Sequence, residues 1–209
     1  REMIDKLQTD VSLKYIFWPR KTPFIKGAPL NRVGPVRNLG VKFASSDIII
    51  FIDCDIVVNP NFIKEHIKSH KKYDIVIGPS IREKSGKDVR EGYFKICNDD
   101  LSKMDCIWEL AHEGNISFNK KDFLNVEGFS SDFVYWAFEG DDLAYKLIKN
   151  HHKKMGLNKK AYGAHLYHSP EFINKETLKE GAIYNSEVLY KKNLDKEIYD
   201  RFFVNPQIK

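Results

Sequence analysis

The feature that most constrains this chain is a run of five apolar residues, Ile48–Ile52, that leads directly into Asp53-Cys54-Asp55. A strand that is apolar on both faces must be covered on both sides, which is typical of the mostly parallel sheets of α/β proteins. Such a strand brings its last residue to the carboxyl edge of the sheet, where open α/β folds bind their ligands. The pattern therefore predicts an α/β fold in which Asp53 and Asp55 leave a buried strand at the binding edge.

The rest of the chain alternates predicted strands with predicted helices. Apolar residues at helical spacing predict helices over residues 36–45, 60–67, 101–111, 121–126, 140–150 and 175–192. Short apolar runs predict strands over residues 11–18, 73–78 and 114–118, and the charged, glycine-containing stretch 81–99 is predicted to be a mobile loop. This order favours a mostly parallel central sheet flanked by helices.

The length of the chain, 209 residues, fits a single domain that needs no disulfide bonds to be stable. The chain opens with a helix end followed by a strand, so we expect one domain over residues 1–209 that lacks its first strand-helix unit. No apolar run approaches the ~20 residues of a membrane span, and no apolar signal segment opens the chain.

The charge and the cysteines favour a cytoplasmic protein. Cys54, Cys97 and Cys106 form an odd set without the spacing of a metal finger, which indicates free thiols in a reducing compartment. The net charge of +5 is modest and spread along the chain, so we expect no nucleic-acid partner. Contact with an acidic membrane surface, and hence a membrane-peripheral location, stays an open alternative.

The two carboxylates after the apolar run indicate a metal site. Carboxylate oxygens suit Mg2+ or Mn2+, and such ions usually share their ligand shell with substrate phosphates. Asp53 and Asp55 can both turn toward one cation because they are only one residue apart on a chain that leaves the sheet. The alternative is an acidic cap at a strand end, since Asp is common in turns.

Three blocks of the sequence resemble a known family. The segments GPVRNLG (34–40), ASSD (44–47) and FIDCD (51–55) resemble the central block of family 2-like GT-A glycosyltransferases. The segments GNISF (114–118), GF (128–129) and WAFEGDDL (136–143) are similar to the acceptor-side segment of galactosyltransferase-type enzymes, which read Trp-Gly-Gly-Glu-Asp-X-Asp-Leu. A third element, HLYH (165–168), lies where such enzymes often place a metal-binding histidine. The resemblance implies the GT-A fold.

The resemblance also implies roles on the donor side. Asp53 and Asp55 would hold Mn2+ or Mg2+ on the diphosphate of a nucleotide-sugar, and His168, or else His165, would complete the ligand set. Imidazole favours Mn2+ over Mg2+. Arg37, at a predicted helix start, would contact a donor phosphate or form an ion pair that supports the loop before Asp53.

On the acceptor side the resemblance implies that Trp136 and Glu139 contact the acceptor sugar. In inverting relatives the Asp after this Glu removes the proton of the acceptor hydroxyl, but here that position is Gly140. Either Asp141 or Glu139 takes that role, with Asp141 preferred, or the enzyme retains the anomeric configuration and needs no such base. Asp142 is expected to cap or support the helix that it opens.

These features predict an enzyme that transfers a hexose or N-acetylhexosamine from a UDP-sugar to a glycan or lipid-linked acceptor with a divalent metal ion. A non-catalytic relative that binds nucleotide-sugar or glycan is the main alternative, because Gly140 leaves the base unassigned. A phosphohydrolase of the haloacid-dehalogenase type also has Asp-X-Asp after an apolar strand, but it has no use for the block over residues 136–143.

Overall fold

The computed structural model describes residues 12–16, 33–135, 137–168 and 175–204. Its α-helices are α1 (Val33–Phe43), α2 (Phe62–Ser69), α3 (Glu91–Ile96), α4 (Lys120–Asn125), α5 (Glu139–Tyr145), α6 (Lys175–Asn193) and α7 (Lys196–Tyr199). Its strands are β1 (Ile48–Ile52), β2 (Ile56–Val58), β3 (Ile75–Ile77), β4 (Ser80–Arg82), β5 (Asn115–Asn119), β6 (Met155–Leu157) and β7 (Gly163–His165). These residues also form two short 3-10 helices and two π-helical turns, at Leu101–Lys103, Ile107–Leu110, Lys146–Asn150 and Asp200–Val204.

The strands form two sheets that confirm the predicted α/β class. The larger sheet has the order β1-β5-β3-β6, and β5 runs antiparallel to both of its neighbours while β3 and β6 are parallel. Three of its four strands, β1, β3 and β6, therefore point in the same direction. The smaller sheet has the order β2-β7-β4, with β7 antiparallel to β2 and parallel to β4. Helices flank these sheets.

The core of the larger sheet is aromatic. Phe51 of β1 lies with its ring centroid 5.3 Å from Phe129, 5.6 Å from Phe123 and 6.0 Å from Phe118. All four rings are buried, and non-parallel packing at these separations is favourable for aromatic pairs. β1 is therefore anchored by its apolar side chains, which fixes the position of the turn that follows it.

The prediction of a mobile loop over 81–99 is wrong in part, because this stretch contains the end of β4 and all of α3. A buried ion pair between Asp88 and Arg90, with an Nη2 to Oδ2 distance of 2.8 Å, organises it. The Arg90 guanidinium also donates to the carbonyl oxygens of Leu110 and Gly78, at 3.0 and 2.8 Å. Charged residues are therefore structural here, since their partners satisfy them inside the protein.

Other predicted elements are confirmed with changed boundaries. The helices predicted at 36–45, 60–67, 121–126 and 175–192 and the strands at 73–78 and 114–118 all form. The helix predicted over 101–111 is replaced by two 3-10 helices, and α5 passes into a π-helical turn. Of the strand predicted over 11–18, residues 12–16 have no regular structure and the others lie outside the described residues.

None of the helices in the described part of the chain is long and apolar enough to cross a membrane.

Candidate active site

The turn after β1 directs Asp53 and Asp55 to different partners. The Ile56 N–H donates to the Asp53 carbonyl oxygen at 3.2 Å, which closes the turn. β2 then pairs with β7 in a register that sets Ile56 opposite His165. The Leu166 N–H donates to the Asp55 carbonyl oxygen at 2.9 Å, so backbone pairing fixes Asp55 beside the segment that follows β7.

Asp55 forms a cluster with both candidate histidines. Its Oδ2 lies 3.1 Å from His168 Nε2 and 3.5 Å from His165 Nε2, and one ligand atom of each residue lies within 4.8 Å of the other two. The second oxygen, Asp55 Oδ1, is buried and has no hydrogen-bond partner among the residues that the structure describes. A partnerless buried carboxylate oxygen is costly, and a cation would satisfy it. One carboxylate and two imidazoles are a donor set that can hold a divalent transition-metal ion.

Asp53 lies outside this cluster and is paired with Arg37. The Arg37 Nη2 atom lies 3.0 Å from Asp53 Oδ1, so the ion pair that the sequence offered as one alternative for Arg37 is present. Glycine at position 114 leaves room for the Asp53 carboxylate, because a Cβ atom there would lie 2.6 Å from Asp53 Oδ2. The roles of Asp53 as a metal ligand and of Arg37 as a donor-phosphate contact stay predictions.

Arg37 also reaches Glu113, a residue that the sequence analysis missed. Its Nη1 atom lies 3.7 Å from Glu113 Oε1, so the guanidinium lies between the carboxylates of Asp53 and Glu113. The antiparallel register that sets Ile52 opposite Asn115 explains this meeting, because it places the residues before β5 beside those after β1. The sequence does show an acid just before the GNISF block. Its contact with Arg37 can be predicted only if β5 is known to run antiparallel to β1.

α5 places two further acids beside Glu113. Glu139 is 3% exposed and Asp141 is half-buried, so the structure brings together the two acidic residues that the sequence predicted on the acceptor side. Gly140 between them packs closely against the preceding segment, since a Cβ atom there would collide with the Ala111 carbonyl oxygen. Glycine is therefore required at position 140 by the close approach of two backbones.

Burial raises the pKa of all three acids, and the charge of Glu113 raises the pKa of the two acids on α5 further. Burial raises the pKa of Glu139 from 4.5 to about 8, and the Glu113 carboxylate adds to this rise. Burial also raises the pKa of Asp141 well above its ordinary value, again with Glu113 as the second cause. The pKa of Glu113 is raised by burial, against which the Arg37 guanidinium acts. Buried acids that repel one another retain protons at neutral pH.

Asp142 makes structural contacts that hold α5 in place. Its side chain is fully buried, its Oδ2 atom lies 3.0 Å from Lys146 Nζ, and its Oδ1 atom accepts a hydrogen bond from Asn193 Nδ2 at 3.3 Å. Lys146 in turn donates to the Gly128 carbonyl oxygen at 3.2 Å. These contacts join α5, α6 and the loop before α5, in agreement with the supporting role that the sequence predicted.

The loop that carries the predicted acceptor platform is held by α6. Trp136 itself lies outside the described residues, so its acceptor role stays a prediction. Its neighbours Ala137 and Phe138 have φ angles of 88° and 73°, at the two positions where the family pattern has glycine. Each such residue costs about 1 kcal/mol. Asn185 Nδ2 of α6 donates to the carbonyl oxygens of Tyr135 and Ala137, at 2.9 and 2.8 Å, which holds this backbone in place.

A cleft of about 390 Å³ opens beside the histidines. It is lined by Arg82, Glu83, Lys84, His165, Tyr167 and His168, among others, and the Lys84 ammonium lies 3.4 Å from the centre of the Tyr167 ring. The Glu83 carboxylate accepts a hydrogen bond from the Tyr167 N–H at 2.8 Å, so the cleft carries one acid beside its two basic side chains. Without a negatively charged ligand, Arg82 and Lys84 would repel a cation bound at the neighbouring histidines. The arrangement is therefore suited to a polyanionic ligand that contacts both the cation and the basic side chains.

Comparisons with known proteins identify the family. The sequence matches glycosyl transferase family 2 over residues 3–124, which is more than half of the chain, and the N-terminal domain of galactosyltransferase over residues 95–169. Validoxylamine A glucosyltransferase of Streptomyces hygroscopicus subsp. jinggangensis is 24% identical over 168 residues, covering 66% of this chain and 40% of that protein. Chondroitin synthase of Escherichia coli is 22% identical over 151 residues, covering 54% of this chain and 22% of that protein. The chain thus spans less than half the length of these curated relatives.

Solved structures with the same fold include two glycosyltransferases. GalNAc-T7, crystallised with UDP, GalNAc and Mn2+, gives a TM-score of 0.53 at 12% identity, over 79% of this chain and 36% of that chain. TarS of S. aureus in complex with UDP-GlcNAc gives a TM-score of 0.53 at 18% identity, over 84% of this chain and 50% of that chain. The fold is GT-A, and by the match over its first 124 residues the chain belongs to glycosyl transferase family 2.

Proposed function

We propose that the chain transfers a hexose or N-acetylhexosamine from a UDP-sugar to a glycan or lipid-linked acceptor, with Mn2+ or Mg2+ bound at the end of β1. The observation that carries the proposal is the Asp55–His165–His168 cluster, with the partnerless Asp55 Oδ1 atom, in a chain of glycosyl transferase family 2. Two solved relatives of the same fold, crystallised with UDP or UDP-GlcNAc and in one case with Mn2+, support the choice of ligands.

On the donor side, Asp55 and His168 would hold the cation, with His165 beside them and Asp53 reaching it in place of one Arg37 contact. When bound, the cation would offset the negative charge that builds on the departing nucleoside diphosphate. Arg82 and Lys84, which line the same cleft, would attract the diphosphate.

On the acceptor side, Glu139 and Asp141 are the acids that the sequence nominated, and Trp136 would supply an apolar face for a sugar ring. An acceptor hydroxyl must lose its proton as its oxygen attacks the donor sugar, so one carboxylate near the donor has to be ionised and reachable. Arg37 links the donor-side Asp53 to the acid group, because it contacts both Asp53 and Glu113.

A non-catalytic binding relative is the second candidate, favoured by the absence of a side chain at Gly140. Such a protein would bind a nucleotide-sugar with metal but would release no UDP from it. Incubation with UDP-GlcNAc, UDP-GalNAc or UDP-glucose and Mn2+, followed by measurement of free UDP, separates the two functions.

The binding half of the proposal is tested by thermal shift with UDP, GDP and their sugars, each with and without Mn2+. We expect a rise in Tm with UDP ligands that requires Mn2+ and disappears in Asp55→Asn, because that substitution removes the charged ligand of the cation. A suitable control is Asp74→Asn. Asp74 lies before β3, at the opposite edge of the sheet, and its side chain is 34% exposed against 30% for Asp55.

Two results would count against the proposal. One is a wild-type protein whose Tm does not respond to UDP and Mn2+ together. The other is an Asp55→Asn variant whose response equals that of the wild type.

A further inference from the structure

Three acidic side chains meet where α5 packs against the residues before β5. Glu113 Oε1 lies 2.6 Å from where a Cβ atom of Gly140 would be, and Glu139 and Asp141 are the residues on either side of Gly140. After burial, the charge of Glu113 is the largest cause of the raised pKa of both residues. Like charges that are close together do not all ionise. The group therefore contains protonated members at neutral pH, and the question is which member faces the substrate in its ionised form.

The three acids differ in exposure and in partners. Glu139 is 3% exposed, whereas the side chain of Glu113 is 20% exposed. Glu113 is also the member paired with Arg37, whose other nitrogen contacts Asp53 on the donor side. Asp141 is half-buried as well, but the charges of Glu113, Glu109 and Glu139 all raise its pKa, which disfavours its ionised form. Glu113 is therefore the acid that stands between the donor side and α5.

Gly140 makes room for the Glu113 carboxylate. A Cβ atom at position 140 would lie 2.6 Å from Glu113 Oε1 and 2.8 Å from Glu113 Cδ, and the Gly140 backbone forms a hydrogen bond to this carboxylate. The Glu113 carboxylate thus occupies the space in which a side chain at position 140 would begin. The sequence left the base unassigned because position 140 has no side chain. The same absence gives the Glu113 carboxylate the space that it occupies.

We propose that Glu113 is the general base that activates the acceptor; this inference rests on the function proposed above. The acceptor O–H gives its proton to the Glu113 carboxylate while the acceptor oxygen forms a bond to C1 of the donor sugar. The bond between C1 and the β-phosphate oxygen breaks, and its electron pair leaves with UDP. The displacement is direct, so the anomeric configuration inverts.

The surroundings of Glu113 suit this role. The charged and titratable groups that face it are Arg37 from α1, Asp53 from the turn after β1, and Glu139 and Asp141 from α5. Burial raises the pKa of Glu113, and Arg37 acts against this rise and favours the ionised form that a base requires. A base whose pKa lies above that of a free carboxylic acid accepts a proton more readily.

The test uses water as the acceptor, because the natural acceptor is unknown. UDP release from UDP-GlcNAc, UDP-GalNAc and UDP-glucose with Mn2+ is measured for wild type, Glu113→Gln, Glu113→Ala and Asp141→Ala, with Asp74→Asn as the control. We expect Glu113→Gln to lower kcat by about 10²-fold or more. Its Tm response to UDP and Mn2+ should stay that of the wild type, because the base does not contact UDP.

Chemical rescue and the pH profile distinguish a base from a structural residue. Formate should restore part of the activity of Glu113→Ala, since it can enter the space that the side chain leaves, and should do nothing for Asp141→Ala. In the wild type, kcat should fall as the pH drops through the raised pKa of Glu113, and this acid limb should be absent from the residual activity of Glu113→Gln.

The possible outcomes separate this inference from the proposed function. A wild-type protein that neither binds UDP with Mn2+ nor releases UDP overturns both. An active wild type with an equally active Glu113→Gln variant overturns only the role of Glu113. So does a Glu113→Gln variant that has lost its response to UDP, because Glu113 would then act by positioning Arg37. Rescue by formate in Asp141→Ala but not in Glu113→Ala assigns the base to Asp141 and also overturns the inference.

Discussion

Two clusters of ionisable side chains in this protein differ in their contact with solvent. The metal-side cluster, consisting of Asp55, His165 and His168, has side chains that are 30, 31 and 61% exposed. The acid group, consisting of Glu113 before β5 and of Glu139 and Asp141 in α5, is more buried at Glu139 (3% exposed) and Glu113 (side chain 20% exposed), and burial raises the pKa of all three members. Exposure leaves the first cluster accessible to a cation from solution, whereas burial favours protonated carboxyl groups in the second.

Histidines elsewhere in the chain show that exposure and partners, rather than residue type, distinguish the metal-side cluster. His66 is fully buried, and its two ring nitrogens lie 2.8 Å from Ser117 Oγ and 2.9 Å from Asn115 Oδ1. Burial lowers its pKa to about 4, so it stays neutral in the protein. Both nitrogens are already used, and His66 therefore supports the contact between α2 and β5 instead of binding a ligand.

The largest expected effect is a loss of Mn2+ affinity when the two histidines of the metal-side cluster are removed. The double variant His165→Ala/His168→Ala should bind Mn2+ about 10²-fold more weakly in the presence of UDP, because it removes both nitrogen ligands. Titration calorimetry with Mn2+ measures the change, and His151→Ala, which alters an exposed histidine far from the cluster in sequence, is the control. Wild-type Mn2+ affinity in the double variant would contradict the assignment of the metal side.

A smaller effect is expected for a substitution in the acid group, which should change the free energy of unfolding. The folded protein keeps the Glu139 proton up to a pKa of about 8, whereas the unfolded chain releases it near 4.5, so stability falls as the pH rises through this interval. Glu139→Gln imitates the protonated form. Its free energy of unfolding should therefore exceed that of the wild type by about 2–4 kcal/mol above pH 8, with the difference vanishing near pH 4.5.

Urea unfolding at pH 4.5, 6.5 and 8.5 measures this difference. Glu187→Gln is the matched control, since Glu187 is an exposed helical residue paired with Lys191 and should show no such trend. A gain in Glu139→Gln that does not depend on pH would show that the acid group does not hold a proton. A change in Mn2+ affinity in the same variant would show that the acid group and the metal-side cluster are energetically coupled.

The sequence nominated Asp55 and His168 but missed Glu113, for a physical reason. Asp55 follows an apolar strand and His168 follows a short His-containing segment, so local patterns and the strand-end rule were enough to nominate both. Glu113 has no local pattern around it. It meets Arg37 only because β5 runs antiparallel to β1, with Ile52 opposite Asn115, and that register depends on contacts between distant parts of the chain.

Two other regions show the same limit. The charged stretch 81–99 read as a loop because the burial of the Asp88–Arg90 ion pair cannot be seen in composition. Ala137 and Phe138 keep positive φ angles without glycine, supported by hydrogen bonds to backbone carbonyls from Asn185, which lies about 50 residues further along the chain. By contrast, β1 and α6 formed as predicted, since continuous apolar runs and helical spacing depend mainly on local sequence.

The most direct test of the account is a crystal of the protein grown with UDP and MnCl2, with anomalous data collected at the manganese edge. We predict one strong peak within bonding distance of an Asp55 carboxylate oxygen and of His168 Nε2, in contact with the diphosphate of UDP. Bound UDP with no manganese peak at these residues, or with the peak at another group of side chains, would contradict the central claim that Asp55 and His168 hold the cation.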